Sequence, residues 1–169
     1  METRVDSITL ELVKEHPDVH ALIKSADDAL GVQGFTEHGF RHAGLVSHIA
    51  QNVLVRLERP ERRARLAAIA GYLHDIGNVV NRADHATAGA LIAKDLLLGM
   101  GMHWDDLALV VGAIGNHEER IGEPVSDISA AVIIATFSIA AQKRNLLWSL
   151  AAAAGLAAVA FAIYVYFYM

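Results

Sequence analysis

GYLHDIGN, residues 71–78, ends an otherwise apolar run with an imidazole and a carboxylate side by side, His74 and Asp75. Leu66, Ile69, Ala70, Leu73 and Ile76 recur at helical spacing ahead of and through this pair, so the run predicts a buried helix. Pro60 and Glu61 open it and Gly77 is expected to end it. A carboxylate carried into a core is costly unless something pairs with it. A divalent cation is a strong partner for both groups; a capping Asp beside a surface His is the plainer alternative for the dipeptide taken alone.

Working outward, three more histidines fall near expected helix boundaries: His42 upstream in EHGFRHAGLVSH (37–48), then His85 in DHATAG (84–89) and His117 in GNHEE (115–119). Helical bundles build metal sites from side chains on facing helices. Isolated core histidines explain one or two such positions; four together favour a shared metal site. The helices themselves are read from apolar spacing. Leu45, Ile49, Val53, Leu54 and Leu57 mark one. Asp84 is expected to cap a second near His85, Asp105 a third with Leu107, Val110, Val111 and Ile114 inward, and Ser126 a fourth with Ile128, Ala131, Val132 and Ala135 inward. No stretch alternates with a period of two between hairpin turns, so the fold class is all-α. GVQGFTEHGF (31–40) is the loop that separates an N-terminal helical segment, 1–35, from the main body, 36–140.

The composition excludes several function classes. Of 169 residues, 54% are apolar and 20% charged, which is a folded chain. With no cysteine, disulfides and thiolate metal sites are ruled out, and any metal is held by imidazole, carboxylate or water. A net charge of -5 with no basic stripe argues against a nucleic-acid duplex as partner. The first 20 residues carry charges and no apolar core, unlike a secretory signal.

In this order, His42, then His74-Asp75, then His85 and His117 resemble the HD superfamily of metal-dependent phosphohydrolases, over roughly residues 36–135. HDIG followed by His85 to Gly89 (HxxxG) and then HEE looks like the branch that includes cyclic-dinucleotide phosphodiesterases. The resemblance implies an HD-domain helical bundle. It implies His42, His74 and Asp75 as ligands of a divalent ion, and His85 and His117 as ligands of a second ion or as phosphate contacts. Asp75 would also orient or deprotonate the attacking water. Imidazole with carboxylate suits manganese, iron, cobalt, nickel or zinc, with magnesium the poorer match. The expected substrate is a phosphomonoester or phosphodiester, nucleotides included.

Two departures stand out. The family closes its site with an Asp after an apolar helix; here SDISAAVIIA (126–135) is followed by Thr136, and the nearest acid, Asp127, opens the helix instead. The phosphodiesterase branch tends to carry Lys after HDIG, where this chain has Asn78. A truncated or frame-shifted copy, altered just before the terminal Asp, would account for the first. Arg41, Arg82, Lys94 and Arg120 lie near the motif and are the candidate phosphate contacts; for each the alternative is a solvated helix face. Glu118 and Glu119 are ambiguous between ligand and surface acid. His38 is a reserve ligand, four residues before His42 and on its helix face.

Beyond Gln142-Lys143-Arg144-Asn145, residues 146–169 hold no charge. As a helix they would span about 36 Å, enough to cross a bilayer core, so 146–168 is expected to be a transmembrane helix. Trp148 at one end and Tyr164, Tyr166 and Tyr168 at the other match interfacial anchors, and Lys143 and Arg144 would keep the body on the cytoplasmic side. A buried core helix is the alternative. Three functions are open to these residues: a membrane-tethered metal-dependent phosphohydrolase, an HD domain that binds a nucleotide or partner without turnover, and a structural module at a membrane.

Overall fold

The computed structural model describes residues 8–35, 38–118 and 123–145. They are all-helical, with no strand among them. The chain divides into two compact units, Met1–Thr136 and Phe137–Met169. The first contains α1 (Leu10–Glu15), α2 (Pro17–Val32), α3 (Phe40–Arg56), α4 (Glu61–Leu73), a 3-10 turn (Ile76–Val79), α5 (His85–Gly99) and α6 (Trp104–Gly115). Residues 127–136 are helical and complete it. The described part of the second unit, 137–145, is also helical.

α4 is the hub. Ala64 and every residue from Leu66 to Leu73 are buried, so from Leu66 onward the helix is apolar all round, as a helix segment enclosed by others must be. α1, α3 and α6 pack on it. Fully burying a side chain such as Leu66, Ile69 or Leu73 is worth roughly 1.5–3 kcal/mol apiece. The α3–α4 contact is close because Gly71 faces Ser47: a Cβ there would sit 3.0 Å from the Ser47 Cα. The Ser47 hydroxyl donates to the Ala68 carbonyl at 2.8 Å, which satisfies a buried polar group inside an apolar contact.

Helix ends obey local chemistry, with three differences from the sequence reading. α4 stops at Leu73, not at Gly77; Asp75 adopts φ -98°, ψ 0° and the chain tightens into the 3-10 turn. α6 is capped by His103, whose Nδ1 accepts from the Asp105 amide at 3.3 Å; Asp105 lies in the first turn, where its charge complements the helix dipole. Asp84 precedes α5 as expected but makes no capping bond with its side chain. Ser126 does cap, its hydroxyl oxygen accepting from the Ser129 amide at 3.1 Å.

α2 runs on to Val32, shortening the loop anticipated at 31–40. Asp27 of α2 anchors the approach to α3 by accepting from the His38 amide at 2.8 Å. Asp127, the acid nearest the missing terminal ligand, pairs with Arg59 and Arg63 at the other end of α4. Among the described residues no helix is long and apolar enough to cross a membrane; the expected span, 146–168, lies outside them.

α3 ends in a left-handed residue. Glu58, at φ 53°, is the sole non-glycine with positive φ among the described residues, and the Arg59 amide reaches back to the Leu54 carbonyl at 3.0 Å. The same closure after α5 uses Gly101 at φ 91°. A side chain in this conformation costs about 1–2 kcal/mol. Glu58→Gly should therefore stabilise the protein, by about 0.5–1 kcal/mol once glycine's extra unfolded-state entropy is offset. A shift of the urea midpoint to higher concentration is the expected reading; a lower midpoint would refute the strain.

Candidate metal centre

α4 carries His74 and Asp75 into the interior at its C-terminal end, and three other elements bring imidazoles to meet them. His42 comes from the first turn of α3, His85 from the first residue of α5, and His117 from just beyond α6. His74, Asp75, His85 and His117 are buried and His42 nearly so. Two groups of candidate ligands result, His42/His74/Asp75 and Asp75/His85/His117, each with its donor atoms within 4.8 Å of one another. Asp75 belongs to both. Its Oδ2 lies 3.1 Å from His74 Nε2 and 3.6 Å from His42 Nε2. Its Oδ1 lies 3.4 Å from His85 Nε2 and 3.9 Å from His117 Nε2.

The backbone aims these rings. His74 Nδ1 faces the Gly71 carbonyl at 2.9 Å, His85 Nδ1 the Arg82 carbonyl at 2.9 Å, and His117 Nδ1 the Ile114 carbonyl at 2.7 Å. Each carbonyl lies three residues back and only accepts, so each Nδ1 carries the proton and each Nε2 turns to Asp75. Glu118 adds a second acceptor for His85 Nδ1 at 3.2 Å. Metal-binding histidines are oriented in this way, by a partner on the ring nitrogen remote from the ion.

Charge is unevenly placed. Burial disfavours the Asp75 carboxylate, but His74 by charge and hydrogen bond, with His117 and His42, outweighs it and holds the group well below the usual range. Burial also disfavours protonated His74, yet the adjacent Asp75 raises its pKa. His117 is pushed down to about 3 by burial and by His74, and His85 is lowered by burial. At neutral pH His85 and His117 are therefore neutral, and their two Nε2 lone pairs meet at 3.0 Å. Two lone pairs face to face beside a carboxylate form a site for a cation. Nitrogen and oxygen donors in this mix suit a divalent transition ion. Such an ion would displace the His74 proton, since a ligand imidazole binds through a free nitrogen.

The structure brings together His42, His74, Asp75, His85 and His117. It does not bring Lys94 there: that ammonium pairs with Asp95 at 2.9 Å, more than two turns along α5 from His85. Arg41 is exposed on the first turn of α3, and Arg120 lies outside the described residues. His38 precedes α3 and so does not share its helical face, although its ring lies 5.1 Å from that of His42. Thr136 donates its hydroxyl to the Ile133 carbonyl at 3.0 Å and sits 3.5 Å from the His117 carbonyl, so its position borders the centre without supplying a carboxylate.

Two further residues enter the site: Asn78, which the motif does not single out as a ligand or phosphate contact, and Arg82, one of the four candidate phosphate contacts. Asn78 Nδ2 donates to Asp75 Oδ1 at 3.0 Å and to the Asp75 carbonyl at 2.9 Å. Arg82 Nη1 reaches His85 Nε2 at 3.1 Å and Asn78 Oδ1 at 3.3 Å. The signal that the sequence offers for them is their nearness to the His-Asp pair in the chain.

The HD domain family model matches residues 38–138, more than half of the chain. Among solved structures, the chain is similar to a predicted HD superfamily hydrolase from an uncultured Thermotogales bacterium, at 26% identity over 72% of this chain and 70% of that one, with a TM-score of 0.48. None of the curated proteins matches the chain.

The spacing between the His-Asp pair and α5 depends on two glycines. A Cβ on Gly77 would overlap the His85 carbonyl oxygen and the Gly89 amide, and one on Gly89 would lie 3.2 Å from the Gly77 nitrogen. Backbone therefore rests on backbone. Gly77→Ala should force α5 away from Asp75 and destabilise the fold by about 3 kcal/mol, at the upper end of overpacking costs. Thermal unfolding checks this, and a melting temperature equal to that of the wild type would contradict it.

Proposed function

Because the chain belongs to the HD domain family, we propose that it is a metal-dependent phosphohydrolase acting on a phosphomonoester or phosphodiester, with nucleotides among its substrates. The observation that carries the reading is the shared carboxylate: Asp75 stands between two sets of imidazoles, with the Nε2 of each within 4 Å of one of its oxygens. His42, His74 and Asp75 hold the ion. When bound, a divalent ion supplies positive charge for phosphoryl oxygens and makes a water acidic enough to attack at neutral pH.

The chain's own groups supply the rest. Asp75 is ionised, and a carboxylate held this far below its usual range is a weak base; its part is to anchor and to accept a hydrogen bond that orients the water. His85 and His117, neutral and buried, are positioned for the phosphate side of the centre. Hydrolysis forms a bond from the water oxygen to phosphorus and breaks the phosphorus–oxygen bond to the departing alcohol, which leaves with a proton.

Thr136, where the family carries an acid, favours a second reading, an HD domain that binds a nucleotide without turnover. One experiment separates the two. Purified full-length chain is expected to hold manganese and hydrolyse a generic aryl phosphate, and His74→Ala should abolish the metal and lower the rate on the order of 10²–10⁴-fold. Hydrolysis in the wild type that His74→Ala abolishes would defeat the second reading; no hydrolysis in the wild type, with or without bound metal, would defeat the first.

We further propose that residues 146–168 tether this domain to a membrane, with the domain on the cytoplasmic side. The uncharged run and the Lys143-Arg144 pair before it support this reading. Full-length chain should float with phosphatidylcholine vesicles while a chain ending at Asn145 stays behind. Equal flotation of the two would count against the tether.

A further inference from the structure

The second of the two ligand groups bears a finer reading, which rests on the metal-dependent phosphohydrolase proposed for this chain. Asp75 Oδ1, His85 Nε2 and His117 Nε2 enclose a position for a cation, and a cation of the chain's own already adjoins it. Arg82 Nη1 lies 3.1 Å from His85 Nε2 and 3.9 Å from Asp75 Oδ1. With its Nδ1 proton given to the Arg82 carbonyl, His85 offers Nε2 as an acceptor, and Arg82 donates into the lone pair that a second ion would need.

The guanidinium is held there by two contacts besides His85 and Asp75. Asn78 Oδ1 accepts from Nη1 at 3.3 Å, and Asn78 is itself tied to Asp75 through Nδ2. Phe35, from the loop after α2, lies beneath the guanidinium at 5.5 Å, a cation–π arrangement. The side chain is 37% exposed, so one edge of the fork meets the buried centre while the rest meets solvent, from which a substrate arrives. Guanidinium has five N–H donors in a planar fork that matches phosphate oxygens, and Nη1 commits only its own.

We propose that Arg82 is the second cation of this centre, standing where a two-metal site would hold its other ion and gripping the phosphate from the open side. The centre then takes one metal, at His42, His74 and Asp75. A divalent ion at the other position would have to compete for His85 Nε2 and lie against a fixed positive charge, and nothing about guanidinium lets it yield a proton to relieve that.

The test counts metal in the full-length protein. After loading with manganese and desalting, elemental analysis should find one ion per wild-type chain and two per Arg82→Gln chain. Two ions in the wild type, or one in a folded Arg82→Gln, overturns the proposal while leaving the phosphohydrolase reading intact. No ion in the wild type removes that reading and this inference with it. The wild-type count decides even if the variant does not fold. With one equivalent of manganese in each protein, inorganic phosphate should bind Arg82→Gln about tenfold or more weakly by calorimetry, as loss of a charged hydrogen bond implies. Equal affinity would show that Arg82 does not hold the phosphate.

Discussion

A carboxylate enclosed in a helical core sets the terms for everything around it. Asp75 is 9% exposed, and an ion so placed loses most of its hydration. Four imidazoles and a guanidinium replace that hydration, each within 4 Å of one of its oxygens. The helices exist in their arrangement partly to deliver these groups: α3, α4, α5 and the chain after α6 each contribute one histidine. Removal of a single helix from the bundle would leave a buried negative charge undercompensated, the kind of defect that destabilises far more than a lost surface pair.

The apolar character of α4 and the polarity of the centre are two sides of one requirement. A helix enclosed on all faces has no solvent-facing stripe on which to carry His74 and Asp75, so they emerge only where it ends. Its last turn opens into a 3-10 turn, which swings Asn78 back beneath Asp75. From there Arg82 comes within reach of both Asn78 and His85. The positive charge that the sequence lacks at Asn78 thus stands four residues further on.

Much of this is legible from residue types in order. Helices declare themselves through local apolar spacing, and an imidazole near a helix boundary is visible without knowing the packing. What is not legible is whatever depends on distance across the fold. Lys94 looks close to His85 in the chain, but nine residues of helix amount to about 13 Å, and its ammonium settles on Asp95. Arg82 is one of four cations near the motif, and only the 3-10 turn sets it apart from Lys94 by bringing it to His85. The α6 cap escapes the sequence because aspartate is the usual capping residue, whereas the His103 ring performs it here. Thr136 is a visible departure in the sequence, but its neighbourhood to His117 emerges only with the bundle assembled.

The contact between Gly77 and Gly89 has a bearing on how this protein can change over time. Helices that meet through side chains can slide or repack when a rotamer shifts, and their spacing drifts as substitutions accumulate. Bare main chain resting on main chain has no such slack. The separation of Asp75 from His85 is therefore insulated from variation over the remaining surface of α5, which is free to diversify as long as two positions stay without side chains.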